Sequence, residues 1–287
     1  MTGVRPLKAL AAAFALCLAL AAPAAAGRPG VAALQVALHA RGLYGGAIDG
    51  VIGPATTRAV RRFQRRAHIA VDGIPGPQTR RALGRYARRR FGTRLLHTGK
   101  AGWDVTVLQF ALAMHGFPSG TFDGGFGPHT DAALRRFQRW AHLGADGVAG
   151  PATYGALRRP RPRSPLLLRR PVRAPLGDRF GPRGNRFHAG LDFPAPYGTS
   201  VRAAARGRVV FAGWDSGGYG YLVRVRHRHG VRTLYAHLSR IRVYRGQVVR
   251  TGTRVGNVGA SGAATGPHLH FEVRLRGAAV NPLPALR

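Results

Sequence analysis

The feature that most restricts this chain is an internal duplication. Residues 31–83 align with 105–157 at a constant offset of 74, without a gap, and 27 of the 53 positions are identical. Self-similarity of that length marks one supersecondary unit used twice. Each copy carries the same punctuation. In the first, Val31, Leu34 and Leu38 share a helical face and Gly42 stops the helix. Asp49-Gly50 is a turn. Gly53-Pro54 opens a second helix, with proline at the first position where its missing N–H costs nothing. Ala59, Val60 and Phe63 give that helix its apolar face. Asp72-Gly73 turns again, and Gly76-Pro77 opens a short third helix ending near Leu83. Asp123-Gly124, Gly127-Pro128, Asp146-Gly147 and Gly150-Pro151 repeat the scheme. The D-G-x-x-G turns lack the alternating oxygen ligands and closing glutamate of an EF-hand loop, which excludes calcium. A turn aspartate that caps the following helix is expected instead.

From about Arg173 the period changes from helix to strand. Val201, Arg208–Phe211, Leu222–Arg226, Arg232–Tyr235 and Arg254–Gly256 are short β-like runs with glycine-rich breaks, which predict an antiparallel all-β domain. Within it lies Gly266-Pro-His-Leu-His-Phe-Glu272. On a strand, His268 and His270 point one way while Leu269 and Phe271 point into a core. Two imidazoles side by side serve as a metal ligand plus a base, as two ligands, or as nothing more than the wet face of a strand. His188 and Asp192, in Phe187-His-Ala-Gly-Leu-Asp-Phe193, can curl toward one ion, and Asp192 sits between two apolar residues where a carboxylate is costly unless paired or metal-bound. His237, in Leu234-Tyr-Ala-His-Leu238, and Glu272 complete the polar inventory. Two histidines and one carboxylate leave a fourth position open, as in catalytic zinc sites. His227-Arg228-His229 is a second H-x-H, read as a solvent-exposed hairpin end.

The N-terminus sets the compartment. Arg5 and Lys8 precede an apolar run, Ala9–Ala22, that is short for a bilayer span, and Ala24-Ala25-Ala26 offers a cleavage site. Residues 1–26 therefore read as a secretory signal peptide. The only cysteine, Cys17, lies inside it, so the exported chain can use neither disulfides nor thiolate ligands. Export also removes nucleic acid as a main partner, and no later stretch is long and apolar enough to sit in a membrane. The formal charge of +35 suits a polyanionic partner such as an acidic wall polymer, or reflects biased composition. Residues 85–103 and the Pro/Arg-rich 159–172 read as linkers, the latter extended and semi-rigid.

Two resemblances follow from these motifs. The pattern L-Q…G…D-G-x-x-G-P-x-T…F-Q…D-G-x-x-G-P-x-T…L resembles the type 1 peptidoglycan-binding domain, a three-helix wall-binding module; it covers 27–84 and 104–158. Residues 173–287 resemble the lysostaphin/LytM-type zinc metallopeptidases through Arg179-Phe-Gly-Pro-Arg183, His188-Ala-Gly-Leu-Asp192, Tyr235-Ala-His-Leu238, Gly246-Gln-Val-Val249, Thr265-Gly-Pro-His-Leu-His-Phe-Glu272 and Asn281-Pro282. Asp178, ahead of the first motif, and Ala263-Ala264, ahead of the last, depart from the residues frequent there. The second resemblance implies an antiparallel β groove of the duplicated hybrid motif type. It also implies one zinc ion held by His188, Asp192 and His270, with His237 and His268 as the catalytic pair. Together they imply a secreted or wall-bound, monomeric zinc endopeptidase acting on peptidoglycan cross-bridges or stem peptides, the alternative being a non-catalytic wall-binding regulator of another hydrolase.

Overall fold

The structure is a computed structural model, which describes residues 27–84, 87 and 89–287; the signal-peptide reading of 1–26, Cys17 included, falls outside them. Each repeat is a three-helix unit: α1 (Pro29–His39), α2 (Pro54–Arg66) and α3 (Pro77–Ala82), then α4 (Trp103–Met114), α5 (Pro128–Trp140) and α6 (Pro151–Leu157). Five of the six begin with proline behind an extended N-cap, glycine in four of them, as the G-P signals dictate. Helices α2 and α5 are amphipathic. Helices α1 and α4 are buried nearly throughout (Ala32–Leu38 and Asp104–Ala113), because they pack on each other as well as on their own partners. Phe110 of α4 reaches into the core of the first repeat beside Phe122.

The expected helix-capping aspartates do something else. In all four turns the carboxylate accepts the backbone N–H two residues on, Asp49 from Val51 at 2.9 Å and Asp123 from Gly125 at 2.8 Å, closing an Asx turn before the helix starts. A buried glutamine on the preceding helix fastens the turn. Gln109 Nε2 donates to Asp123 (2.8 Å), the Gly125 carbonyl (2.9 Å) and Thr130 (3.2 Å), and its Oε1 accepts the Gly124 N–H at 3.0 Å. Gln35, Gln64 and Gln138 make the same set. The turn glycine must be glycine: Gly124 has φ +76°, a left-handed conformation that a side chain resists.

The C-terminal domain is a nine-stranded antiparallel sheet with a separate hairpin, β1 (Gly181–Arg183) and β2 (Arg186–His188). The main path runs β11 (Ala278–Val280), β10 (His268–Leu275), β7 (Val231–Ile241), β6 (Gly220–Arg226), β5 (Gly207–Asp215), β8 (Val248–Val249). Strand β3 (Leu191–Pro194) adds to β10, while β9 (Arg254–Val258) joins β7 and β4 (Ser200–Arg202) joins β9. Leu269, Phe271, Phe193, Val223, Val225 and Tyr235 form the core under the sheet, all at most 1% exposed. Each large side chain so buried contributes about 1.5–3 kcal/mol. The Pro/Arg-rich segment is not simply a spacer. Its apolar run carries Leu166, Leu168 and Val172 into this core, and Leu168 pairs with Leu286.

The helical and β parts are joined by contact as well as by chain. The backbone N–H groups of Ile48 and Phe122, equivalent positions of the two repeats, donate to the Gly184 and Asn185 carbonyls at the tip of the β1–β2 hairpin, both at 2.8 Å. Phe187 of β2 packs on the first repeat's core and Ala278 of β11 on the second's. Gly116 (φ +90°) receives Ala279, whose N–H donates to its carbonyl at 3.0 Å; a Cβ there would lie 2.2 Å from the Ala279 oxygen.

Candidate metal centre

Sheet register brings the predicted residues together. Pairing of β3 with β10 sets Asp192 opposite His270, and His188 enters from the end of β2. All three are buried. Their nearest atoms form a tight triangle: His188 Nε2 to Asp192 Oδ1 3.1 Å, His188 Nε2 to His270 Nδ1 3.0 Å, and His270 Nδ1 to Asp192 Oδ1 2.7 Å. The outer nitrogens fix the tautomers. His188 Nδ1–H donates to the Arg179 carbonyl at 2.9 Å, and His270 Nε2–H donates to Glu272 at 3.1 Å. The inner nitrogens then face each other and a carboxylate oxygen, and a cation that displaced a proton from between them would meet lone pairs. Such an arrangement asks for a cation. Tetrahedral ligands on zinc lie about 3.3 Å apart at ordinary bond lengths, so this donor set fits a zinc ion after an outward shift of a few tenths of an ångström. Each inner ligand is backed by an outer hydrogen bond, as metal-binding histidines require.

Electrostatics agree. Burial would raise the Asp192 carboxyl, but the His188 and His270 imidazoles hold it well below the usual carboxylate range. Burial would lower His270, but the Asp192 and Glu272 carboxylates raise it to about 9. The pocket therefore attracts positive charge.

The other two histidines stand beside the triangle. His268 shares the β10 face with His270, and its Nε2 is 3.8 Å from Asp192 Oδ1. His237 follows Ala236 on β7, which pairs with His270. The His237 and His268 rings are 4.8 Å apart. Each donates Nδ1–H to a backbone carbonyl at 2.8 Å, His237 to Ser261 and His268 to Gly266, so each turns Nε2 away from it. Burial, reinforced by the nearby histidines, lowers the His237 pKa to about 4, leaving it uncharged at neutral pH. It also has φ +57°, a left-handed conformation uncommon outside glycine, held by its N–H donating to the Tyr219 carbonyl at 2.9 Å. All five residues line one cleft of about 680 Å³, which Tyr219, Arg183 and Thr265 also border.

Sequence reasoning placed these five side chains in one constellation, and the fold assembles them. It misjudged His227. That side chain is 7% exposed, its Nδ1–H donating to the Arg206 carbonyl and its Nε2 accepting from Thr233, both at 2.8 Å; only His229 is exposed. Strand alternation could have flagged the role of Glu272, which lies on the same β10 face as His268 and His270, but its partners Tyr219 and Arg274 are set by the fold.

Comparison with known proteins agrees with this division. Residues 186–282 match the family described as Peptidase family M23, and 27–83 and 101–157 each match the "Putative peptidoglycan binding domain". The DD-carboxypeptidase/endopeptidase Mpg of Neisseria meningitidis serogroup B is 48% identical over 121 residues, 42% of this chain and 27% of that protein. The murein hydrolase activator EnvC of Escherichia coli is 42% identical over 118 residues, 40% of this chain and 28% of that one. This chain thus spans about a quarter of the length of the curated relatives it matches. Among solved structures, the catalytic domain of the antimicrobial peptidase lysostaphin from Staphylococcus simulans is 33% identical, covering 39% of this chain and 90% of that one, with a TM-score of 0.38. With the His-Asp-His triangle on an antiparallel sheet and two Gln-fastened helical repeats ahead of it, the chain belongs through its C-terminal domain to peptidase family M23 and carries two domains of the peptidoglycan-binding type.

Proposed function

We propose that this chain is an exported zinc-dependent endopeptidase that hydrolyses peptide bonds of peptidoglycan cross-bridges or stem peptides, held on the cell wall by its two helical repeats. The observation that carries this reading is the intact set of five: His188, Asp192 and His270 with converging lone pairs, and His237 and His268 beside them in one cleft. His188, Asp192 and His270 would hold the metal. Zinc supplies Lewis acidity there, activating water and polarising the scissile carbonyl. His237 and His268 do the proton and charge work. Each anchors Nδ1–H on a backbone carbonyl and turns Nε2 free of it, so one can take a proton from water and the other, carrying a proton, can donate to the developing oxyanion or leaving amine. The β1–β2 hairpin, gripped by both repeats, carries His188 and so links the wall-binding part to the metal ligands.

The similarity to an activator of murein hydrolases raises a second reading, a non-catalytic wall-binding regulator. A complete set of ligands and proton carriers counts against it. The test is a digest of purified peptidoglycan by the zinc-loaded protein and by His270→Ala, with products identified by mass spectrometry. New amine ends from the wild type alone are expected, with a loss in the variant of at least a thousandfold. Wall binding without cleavage by a zinc-loaded wild type would give the regulator reading.

A further inference from the structure

Glu272 is the only glutamate in 287 residues, and its side chain is 1% exposed. A buried carboxylate in a chain with 45 basic residues could pair anywhere; this one is enclosed by three specific donors. Its Oε1 accepts from His270 Nε2 at 3.1 Å and from the Tyr219 hydroxyl at 2.7 Å, while its Oε2 accepts from Arg274 Nε at 2.7 Å. Arg274 also donates to the Tyr219 oxygen at 3.1 Å, closing the ring of contacts. Tyr219 sits on the turn between β5 and β6, far in sequence from both neighbours. The turn is fixed by Gly220 (φ +62°), where a Cβ would lie 2.5 Å from the Ser261–Gly262 backbone. The carbonyl of the same tyrosine receives the His237 N–H. One residue thus touches the supports of both a ligand histidine and a proton carrier.

We propose that Tyr219 is a positioning residue of the metal centre: its hydroxyl, with Arg274, orients Glu272 so that the carboxylate accepts His270 Nε2–H and presents His270 Nδ1 as the metal donor. The inference rests on the metal-centre reading above. Without the hydroxyl, Glu272 Oε1 loses its shortest hydrogen bond, Arg274 alone holds the carboxylate through Oε2, and the His270 Nε2–H loses its fixed acceptor. Outer partners of this kind typically contribute 10- to 100-fold in metal affinity.

The test compares the full-length wild type with Tyr219→Phe, which keeps the ring and the carbonyl. Zinc affinity is read by competition with a chromogenic chelator, and the His270 Nε2–H···Glu272 hydrogen bond by the 1H shift and solvent exchange of that proton in the zinc-loaded protein. The expected result is zinc binding about tenfold weaker, with the Nε2–H proton of His270 moving upfield and exchanging faster, and an unchanged circular dichroism spectrum. Arg274→Gln, which removes the other donor to Glu272, should shift both readouts in the same direction and stands in if the first variant does not fold. Equal zinc affinity and an unchanged Nε2–H signal in the variants overturn the proposal alone. A wild type that binds no zinc overturns the metal-centre reading, and this proposal with it.

Discussion

Gln109 in the second repeat and His270 in the β domain are both buried, at 1% and 7% exposure, and both sit among polar neighbours. The repeat closes its network. Every donor and acceptor of Gln109 has a partner within the same unit, and the arrangement occurs four times with the same atoms. Around His270 the outer atoms are satisfied, while the inner ones crowd together: two imidazole nitrogens and one carboxylate oxygen converge within 3.1 Å of one another, a set of donor atoms that one cation could serve together. Buried polar groups are ordinarily paired, because an unpaired one costs about 1–3 kcal/mol. A closed network is therefore architecture, and a convergent set of lone pairs is a place for a ligand. The scarcity of acids sharpens the contrast. Of nine aspartates and one glutamate, four aspartates hold the repeat turns, while Asp192 and Glu272 flank His270 on either side of its ring.

Chelation should separate the two regions most clearly. Zinc at a thousand times its dissociation constant stabilises a folded site by about 4 kcal/mol, and a chelator removes that. Amide exchange should then rise in β3 and β10 while α4 and α5 keep their protection. Equal exchange with and without chelator would place the convergent triangle among the closed networks.

Breaking the closed network should have the reverse signature. Gln109→Leu strands the Asp123 carboxylate and the Gly124 N–H, and should cost about 2 kcal/mol in urea unfolding. Zinc affinity should stay at the wild-type value; a drop would mean that the two regions share more than a surface.

The smallest effect concerns protons. His115 and His227 are buried, and burial lowers both pKa values despite their hydrogen bonds to the Leu157 and Arg206 carbonyls. Unfolded histidine titrates near about 6.5. Above that pH neither state binds the proton and stability is full. As pH falls from 6.5 toward the lower folded-state values, the unfolded chain takes up protons that the native chain does not, and stability declines. The difference in urea midpoint between wild type and His227→Gln, which cancels the opposed contributions of His237 and His270, should fall from about pH 7.5 to 5, and likewise for His115→Gln. Differences unchanged over this range would show both imidazoles to be open to water.

Much of this was legible in the sequence, for reasons that differ by element. G-P and D-G dipeptides act locally, so the helix starts and turn positions in the repeats were readable residue by residue. The H-x-H pair on β10 was readable because strand alternation is geometric, with Leu269 and Phe271 both fully buried. What escaped depends on residues distant in the chain. The Asx turns looked like helix caps because the glutamine that fastens each one lies 8 to 14 residues upstream. His227 looked like a wet hairpin end because the Arg206 carbonyl that receives it comes from a loop 21 residues away. Leu166 and Leu168 were hidden by the arginines and prolines around them, whose composition says linker although two of the three leucines between them enter the core.

The grip of Ile48 and Phe122 on the tip of the β1–β2 hairpin has an evolutionary consequence. Wall-binding modules are commonly pictured as interchangeable cargo, gained, lost or multiplied without disturbing the enzyme they accompany. Here two equivalent handholds, one from each copy, close on adjacent carbonyls, the second three residues before His188. Losing one copy would release half of the hairpin tip, and inserting a third between them would change the spacing that lets both reach it. Copy number in this chain is thereby coupled to the hairpin that carries His188.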